Sequence, residues 1–322
     1  MAPDGDAARA GRARMHERVI RARDRTGLVV RTWGAAAGGY AAHRRRAPLV
    51  LCDGLGCDGF VWRYIIERFA GERTIVHVQY RGHGKSEVPR DLGSARLDVI
   101  IDDLALVLDE TGVEGGVWLG HSMGVQVCLE VFRRERARVD GLGLLCGSFE
   151  RPIDTWHHAF FADEEPPLGN RFMRRIFDRL TRNIIDRWST VQPAWRALVS
   201  SDFAFDVTVN GELNPDLVQP GDFRPYMHHL AHMDMRVFAT LARDLSQHSA
   251  RDVLPLVDVP TLVVGGGRDR FAPLWISEEM ARLIPGAVLM PLVQGSHTAP
   301  IEEPRLVERA LVKLLERVDA RP

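Results

Sequence analysis

In the stretch Val117-Trp118-Leu119-Gly120-His121-Ser122-Met123-Gly124-Val125-Gln126-Val127-Cys128-Leu129-Glu130, an apolar run enters a Gly-x-Ser-x-Gly sequence and helix-forming residues leave it. The spacing predicts a strand that turns sharply into a helix, with Ser122 at the corner. Glycines on both sides let two backbones approach closely. The strained corner lifts the serine oxygen above a sheet and aims the next backbone N–H at an incoming oxyanion. Five residues of this pattern recur by chance, so the flanking strand and helix carry the reading.

The rest of the chain repeats the alternation. Arg18 to Trp33 reads as a hairpin, with Val19-Ile20-Arg21-Ala22 and Leu28-Val29-Val30-Arg31 joined through Asp24-Arg25-Thr26-Gly27. Pro48 to Gly54, Thr74 to Tyr80, Gly141 to Cys146, Pro260 to Gly266 and Ala287 to Leu292 are short apolar runs of the kind expected for strands buried on both faces. Between them, helical stripes are predicted over Phe60–Phe69 (capped by Asp58), 94–111, Pro273–Leu283 and 304–318. Strands alternating with helices imply an α/β fold, a mostly parallel sheet flanked by helices, with ligands at the carboxyl ends of the strands. From Phe149 to about Ala250 the rhythm stops. That segment is rich in Trp, Phe, Met and His with helical spacing in 170–189 and 224–246, and reads as an α-helical cap inserted into the core. The expected division is a disordered leader over 1–16, a core in two parts over 17–148 and 251–322, and a cap over 149–250.

With 322 residues, one core and a cap fill the chain. A net charge of −1 offers no general attraction for phosphate backbones, which argues against nucleic acid as a partner. No apolar stretch is long enough to span a bilayer. The N-terminus lacks the apolar centre of a secretory signal, so a cytoplasmic protein is the expectation. Cys52, Cys57, Cys128 and Cys146 have no metal-ligand spacing and read as free buried thiols.

Three groups stand just after three different strands, in the order Ser122, Asp269, His297. A serine hydroxyl is a poor nucleophile until an imidazole takes its proton, and the imidazole works best when a carboxylate fixes its tautomer and stabilises the imidazolium. Asp269 is the expected carboxylate; Glu150 and Asp154, after the preceding strand, are alternatives in principle. His121 reads as a shaping residue and His83 as a turn residue. The i, i+4 pair His228 and His232, beside His229, lacks a further placed ligand and reads as helix surface or pocket lining, so neither metal nor cofactor is expected. Trp156, Phe160, Phe161, Trp188, Trp195, Phe203, Phe205, Phe223 and Tyr226 divide between the cap's own core and an apolar pocket. The runs Arg44-Arg45-Arg46 and Arg133-Arg134-Glu135-Arg136 read as solvated faces.

Four segments together resemble the serine-nucleophile branch of the α/β-hydrolase fold superfamily, over roughly residues 18–318. They are Arg81-Gly82-His83-Gly84-Lys85-Ser86, Gly120-His121-Ser122-Met123-Gly124, Gly267-Arg268-Asp269-Arg270-Phe271-Ala272-Pro273, and Gly295-Ser296-His297 with Glu302-Glu303-Pro304 behind. The resemblance implies Ser122 as nucleophile, His297 as base, Asp269 as orienting acid, and an oxyanion hole from the backbone N–H groups of Leu55 and Met123. Asp53-Gly54 departs from the His-Gly of many relatives. The expected activity is hydrolysis of an ester, thioester or amide of a small hydrophobic molecule by a monomer or homodimer. Carbon–carbon bond hydrolysis, acyl transfer, peracid formation and a noncatalytic small-molecule receptor are the alternatives.

Overall fold

The structure is a computed structural model that describes residues 14–34, 46–151 and 169–321. Eight strands form one sheet in the order β1-β2-β4-β3-β5-β6-β7-β8. β1 (His16–Arg21) and β2 (Gly27–Trp33) make the expected hairpin, and β2 also pairs antiparallel with β4 (Ile75–Val78). β1 begins at His16, inside the stretch assigned to the leader, and residues 1–13 lie outside the described residues. From β4 through β3 (Leu49–Cys52), β5 (Gly116–His121), β6 (Val139–Leu145) and β7 (Thr261–Gly266) to β8 (Val288–Leu292), every pairing is parallel.

Parallel neighbours need long crossovers, and helices supply them. These are α1 (Arg63–Phe69), α2 (Leu97–Thr111) and α3 (Met123–Arg134). The apolar runs lack polar alternation because both faces of the sheet are covered. On β5, Val117 and Leu119 join the core that contains Ile65 and Phe69 of α1, whereas Trp118 between them joins the core that contains Leu104 of α2 and Leu129 of α3. The predicted cap at Asp58 does not form. Gly59, at φ 100°, turns the chain before a 3-10 turn over Phe60–Trp62, so Asp58 stands one residue too early, and α1 starts only at Arg63 with no side-chain cap.

Between β6 and β7 lies the helical insertion: α4 (Gly169–Val199), α5 (Asp202–Glu212), α6 (Pro220–His232) and α7 (Met235–Leu245). Local chemistry sets its joints. Ser201 caps α5 by accepting from the Ala204 N–H at 3.1 Å, and Asp234 caps α7 by accepting from the Arg236 N–H at 2.9 Å. Val199, Phe205, Phe223 and Met227 are buried in the core shared with α1, which seats the insertion on the sheet domain. Trp156, Phe160 and Phe161 fall outside the described residues. After β7 come α8 (Leu274–Leu283), the short α9 (Ala299–Glu302) and α10 (Pro304–Asp319). The four cysteines are buried and free. Arg133 pairs with Asp252 and Arg136 with Asp258 at the surface.

Candidate active site

β5 delivers Ser122 to the corner, where its backbone takes φ 56° and ψ −118°, a conformation that side-chain-bearing residues rarely adopt. The strain is held by close backbone packing. A Cβ on Gly120 would stand 2.2 Å from the Gly124 carbonyl oxygen, and one on Gly124 would stand 2.0 Å from the Cys52 carbonyl oxygen, so only glycine fits either side of the elbow. The Met123 N–H heads α3 and therefore has no intrahelical acceptor. Across from it, the loop after β3 abuts Ser122: a Cβ on Gly54 would lie 3.0 Å from Ser122 Cβ.

The loops after β7 and β8 bring Asp269 and His297 to the same place. His297 Nε2 lies 2.9 Å from Ser122 Oγ, and His297 Nδ1 lies 2.9 Å from Asp269 Oδ2 and 3.1 Å from Oδ1. With Nδ1 donating to the carboxylate, Nε2 is left to accept the serine proton. Asp269 Oδ1 also accepts from the Phe271 and Ala272 N–H groups, at 2.9 and 2.8 Å, which pins the carboxylate's rotamer. Glu150, weighed as an alternative acid, is paired with Arg251 instead, and Asp154 is outside the described residues.

The other histidines are held neutral or lie elsewhere. Burial, then the neighbouring His297 ring, push the His121 imidazole down to about 3, and its Nε2 donates to the His297 carbonyl at 2.8 Å. Burial pushes His83 down to about 4; its Nδ1 donates to the Arg81 carbonyl at 3.1 Å, and its Nε2 accepts from the Gly56 N–H at 3.2 Å. His228 and His232 stack on each other with ring centroids 4.4 Å apart. Among the described residues, no group of three or more His, Cys, Asp or Glu is placed to hold a metal ion.

Two supporting groups escaped sequence reasoning. Glu302, quoted only as part of a motif, is a buried carboxylate that accepts from the Ser296 N–H at 2.6 Å, from both the Ser296 and Thr298 hydroxyls, and from the Asn214 N–H at 3.0 Å. It thereby fixes the two residues flanking His297. Asn214 also donates its side-chain amide to the Gln294 carbonyl at 2.8 Å, tying the insertion to the same loop. The second group is Asp53 with His77, and its only sequence signal was a charge at the end of one apolar run and a histidine interrupting another.

Above Ser122 is a cavity of about 500 Å³. Leu55, His121, Ser122, Phe271 and His297 line its floor from the sheet domain, and Trp195, Phe203, Phe223, Tyr226, Met227 and Leu230 wall it from the insertion. Such a space suits an apolar small molecule with few polar fixing points. Among the described residues, no helix is long and apolar enough to cross a membrane.

Comparison with known proteins agrees with this architecture. The chain is 25% identical over 286 residues to a RutD protein of Azorhizobium caulinodans that carries the name of a carbamate hydrolase, covering 87% of this chain and 95% of the relative. It is also 25% identical to Epoxide hydrolase 4 of Mus musculus, over 83% of this chain and 72% of that protein. The crystal structure of a thermophilic esterase from Thermogutta terrifontis superposes with a TM-score of 0.70 at 21% identity, covering 95% of this chain and all of the other, a likeness of fold. The family model described as the alpha/beta hydrolase family matches residues 49–310, from the first residue of β3 into α10, and the chain belongs to that family.

Proposed function

We propose that the protein is a serine hydrolase that cleaves an ester of a small hydrophobic molecule through an acyl-enzyme. The observation that carries this reading is the unbroken relay Ser122 Oγ, His297 Nε2, His297 Nδ1, Asp269 at hydrogen-bond distances on the floor of an apolar cavity. Ser122 Oγ attacks the substrate carbonyl carbon while His297 Nε2 takes its proton; Asp269 stabilises the imidazolium. The carbonyl oxygen becomes an oxyanion that accepts hydrogen bonds from the Leu55 and Met123 N–H groups. The C–O bond to the leaving alcohol breaks, and the imidazolium returns the proton to that oxygen. Water then repeats the sequence on the acyl-serine, releasing the acid and restoring Ser122. His121, neutral down to about pH 3, takes no part in proton transfer.

A carbamate presents the same carbonyl to Ser122, so aryl carbamates belong in the substrate panel beside esters and thioesters. Epoxide opening in this family is implied to use an aspartate where this chain has Ser122, which disfavours it. The test is turnover of a graded panel of p-nitrophenyl esters by the wild type and by Ser122→Ala. The expected result is saturable hydrolysis that Ser122→Ala lowers by on the order of 10⁶. Undiminished hydrolysis by Ser122→Ala would overturn the reading.

A further inference from the structure

The Asp53 carboxyl is fully buried although it stands at the mouth of the sheet. Strand alternation explains its direction. Leu49 and Leu51 face the α1 side and Val50 and Cys52 the other, so Asp53 continues the α1 face. There Oδ1 accepts from the Trp62 indole N–H at 2.7 Å, and Oδ2 lies 2.8 Å from His77 Nε2 of the neighbouring strand β4. Trp62 and His77 are themselves buried. A carboxylate taken out of water is costly unless it is hydrogen-bonded, so these bonds stay closed in the folded protein.

The residues tied together bracket one loop. Asp53 opens the segment that contains Leu55, and Trp62 ends the 3-10 turn that closes it. His77 also supports the segment's far end, because a Cβ on Gly59 would lie 2.6 Å from His77 Cε1. Between the two ends, His83 Nε2 takes the Gly56 N–H and the Gly54 carbonyl takes the Cys57 N–H, at 3.2 Å each. The Leu55 N–H is thus carried on a short loop fixed at its start, middle and end. The bonds to Trp62 and His77 hold the Asp53 carboxyl on the α1 side of that loop.

We propose that Asp53, through Trp62 and His77, is a positioning residue that sets the Leu55 N–H for the oxyanion. The inference rests on the serine-hydrolase reading above. Oxyanion stabilisation acts only in the transition state, so the effect belongs in kcat and leaves KM alone. The experiment uses the full chain and compares Asp53→Asn, Asp53→Ala and Trp62→Phe by ester kinetics. It also measures binding of an aryl trifluoromethyl ketone, which forms an oxyanion on serine, and of the matching secondary alcohol, which does not. The expected result for Trp62→Phe is a loss of about tenfold in kcat, an equal loss of ketone affinity, and unchanged KM and alcohol affinity. Asp53→Ala is expected to lose about 100-fold, with Asp53→Asn recovering most of it because the amide oxygen still accepts from Trp62. If Asp53→Ala does not fold, Trp62→Phe decides the matter. A kcat and ketone affinity within twofold of wild type in Trp62→Phe would overturn the inference, and so would equal losses for ketone and alcohol. A wild type that neither hydrolyses esters nor binds the ketone would instead locate the failure in the serine-hydrolase reading beneath it.

Discussion

At the scale of single residues, two buried histidines make the folded protein sensitive to acid. The folded protein protonates His83 near pH 4 and His121 near pH 3, both driven down chiefly by burial, whereas the unfolded chain protonates them near the ordinary value of 6.5. Between those limits the unfolded state binds more protons, so stability is fully present above pH 6.5 and falls as the pH drops toward 4. Across their windows His83 contributes about 3 kcal/mol and His121 about 5 kcal/mol. Thermal midpoints measured from pH 7.5 to 4 should fall steadily, and His83→Gln should flatten the slope. A midpoint independent of pH over that range would contradict the assignment. Asp269 gives a second expectation: Asp269→Asn keeps the shape but alters the hydrogen bond that fixes the His297 tautomer, so kcat should drop by roughly 10⁴. Steady-state kinetics with a soluble ester would read it.

At the scale of elements, a buried carboxylate latches the insertion to the sheet domain. Asp222 of α6, buried, accepts from Tyr64 of α1 at 2.6 Å and is paired with Arg63. The half-exposed Arg63 is worth little through solvent, so the Tyr64 bond and the burial of Asp222 carry the latch. Asp222→Ala should cost about 2 kcal/mol and speed amide hydrogen exchange in α6 while α2 and α3 keep their protection. Uniform exchange across the protein would refute a local latch. This scale also shows what the sequence could disclose. Continuous apolar runs and the Gly-x-Ser-x-Gly corner were readable because sheet burial and a tight turn leave residue-by-residue signatures. The absence of a cap at Asp58 was not readable, since it follows from the left-handed Gly59 and its packing on His77. Glu302 was equally opaque: one carboxylate gathers Ser296, Thr298 and a residue 88 positions earlier, and spacing along the chain carries no trace of that.

At the scale of the whole molecule, the sheet domain presents Ser122, His297 and Asp269, while helices α4 to α7 of the insertion supply the apolar walls above them. Leu198, Phe203 and Val207 line the cavity and are exposed to solvent, so the space opens between α4 and α5. An acyl chain entering there should gain about 0.8 kcal/mol per buried methylene, up to roughly fourfold in kcat/KM for each added carbon. The gain should cease once the chain outgrows the cavity, and a panel from acetate to dodecanoate would locate the turning point. A profile flat in chain length would contradict an apolar acyl site. The central claim, that Ser122 is the nucleophile activated by His297, is tested most directly by intact-protein and peptide mass spectrometry after a fluorophosphonate is added. One equivalent of label on Ser122, absent in Ser122→Ala and slowed by at least about 100-fold in His297→Ala, is the predicted result; a folded, turning-over protein that takes no label at Ser122 would contradict it.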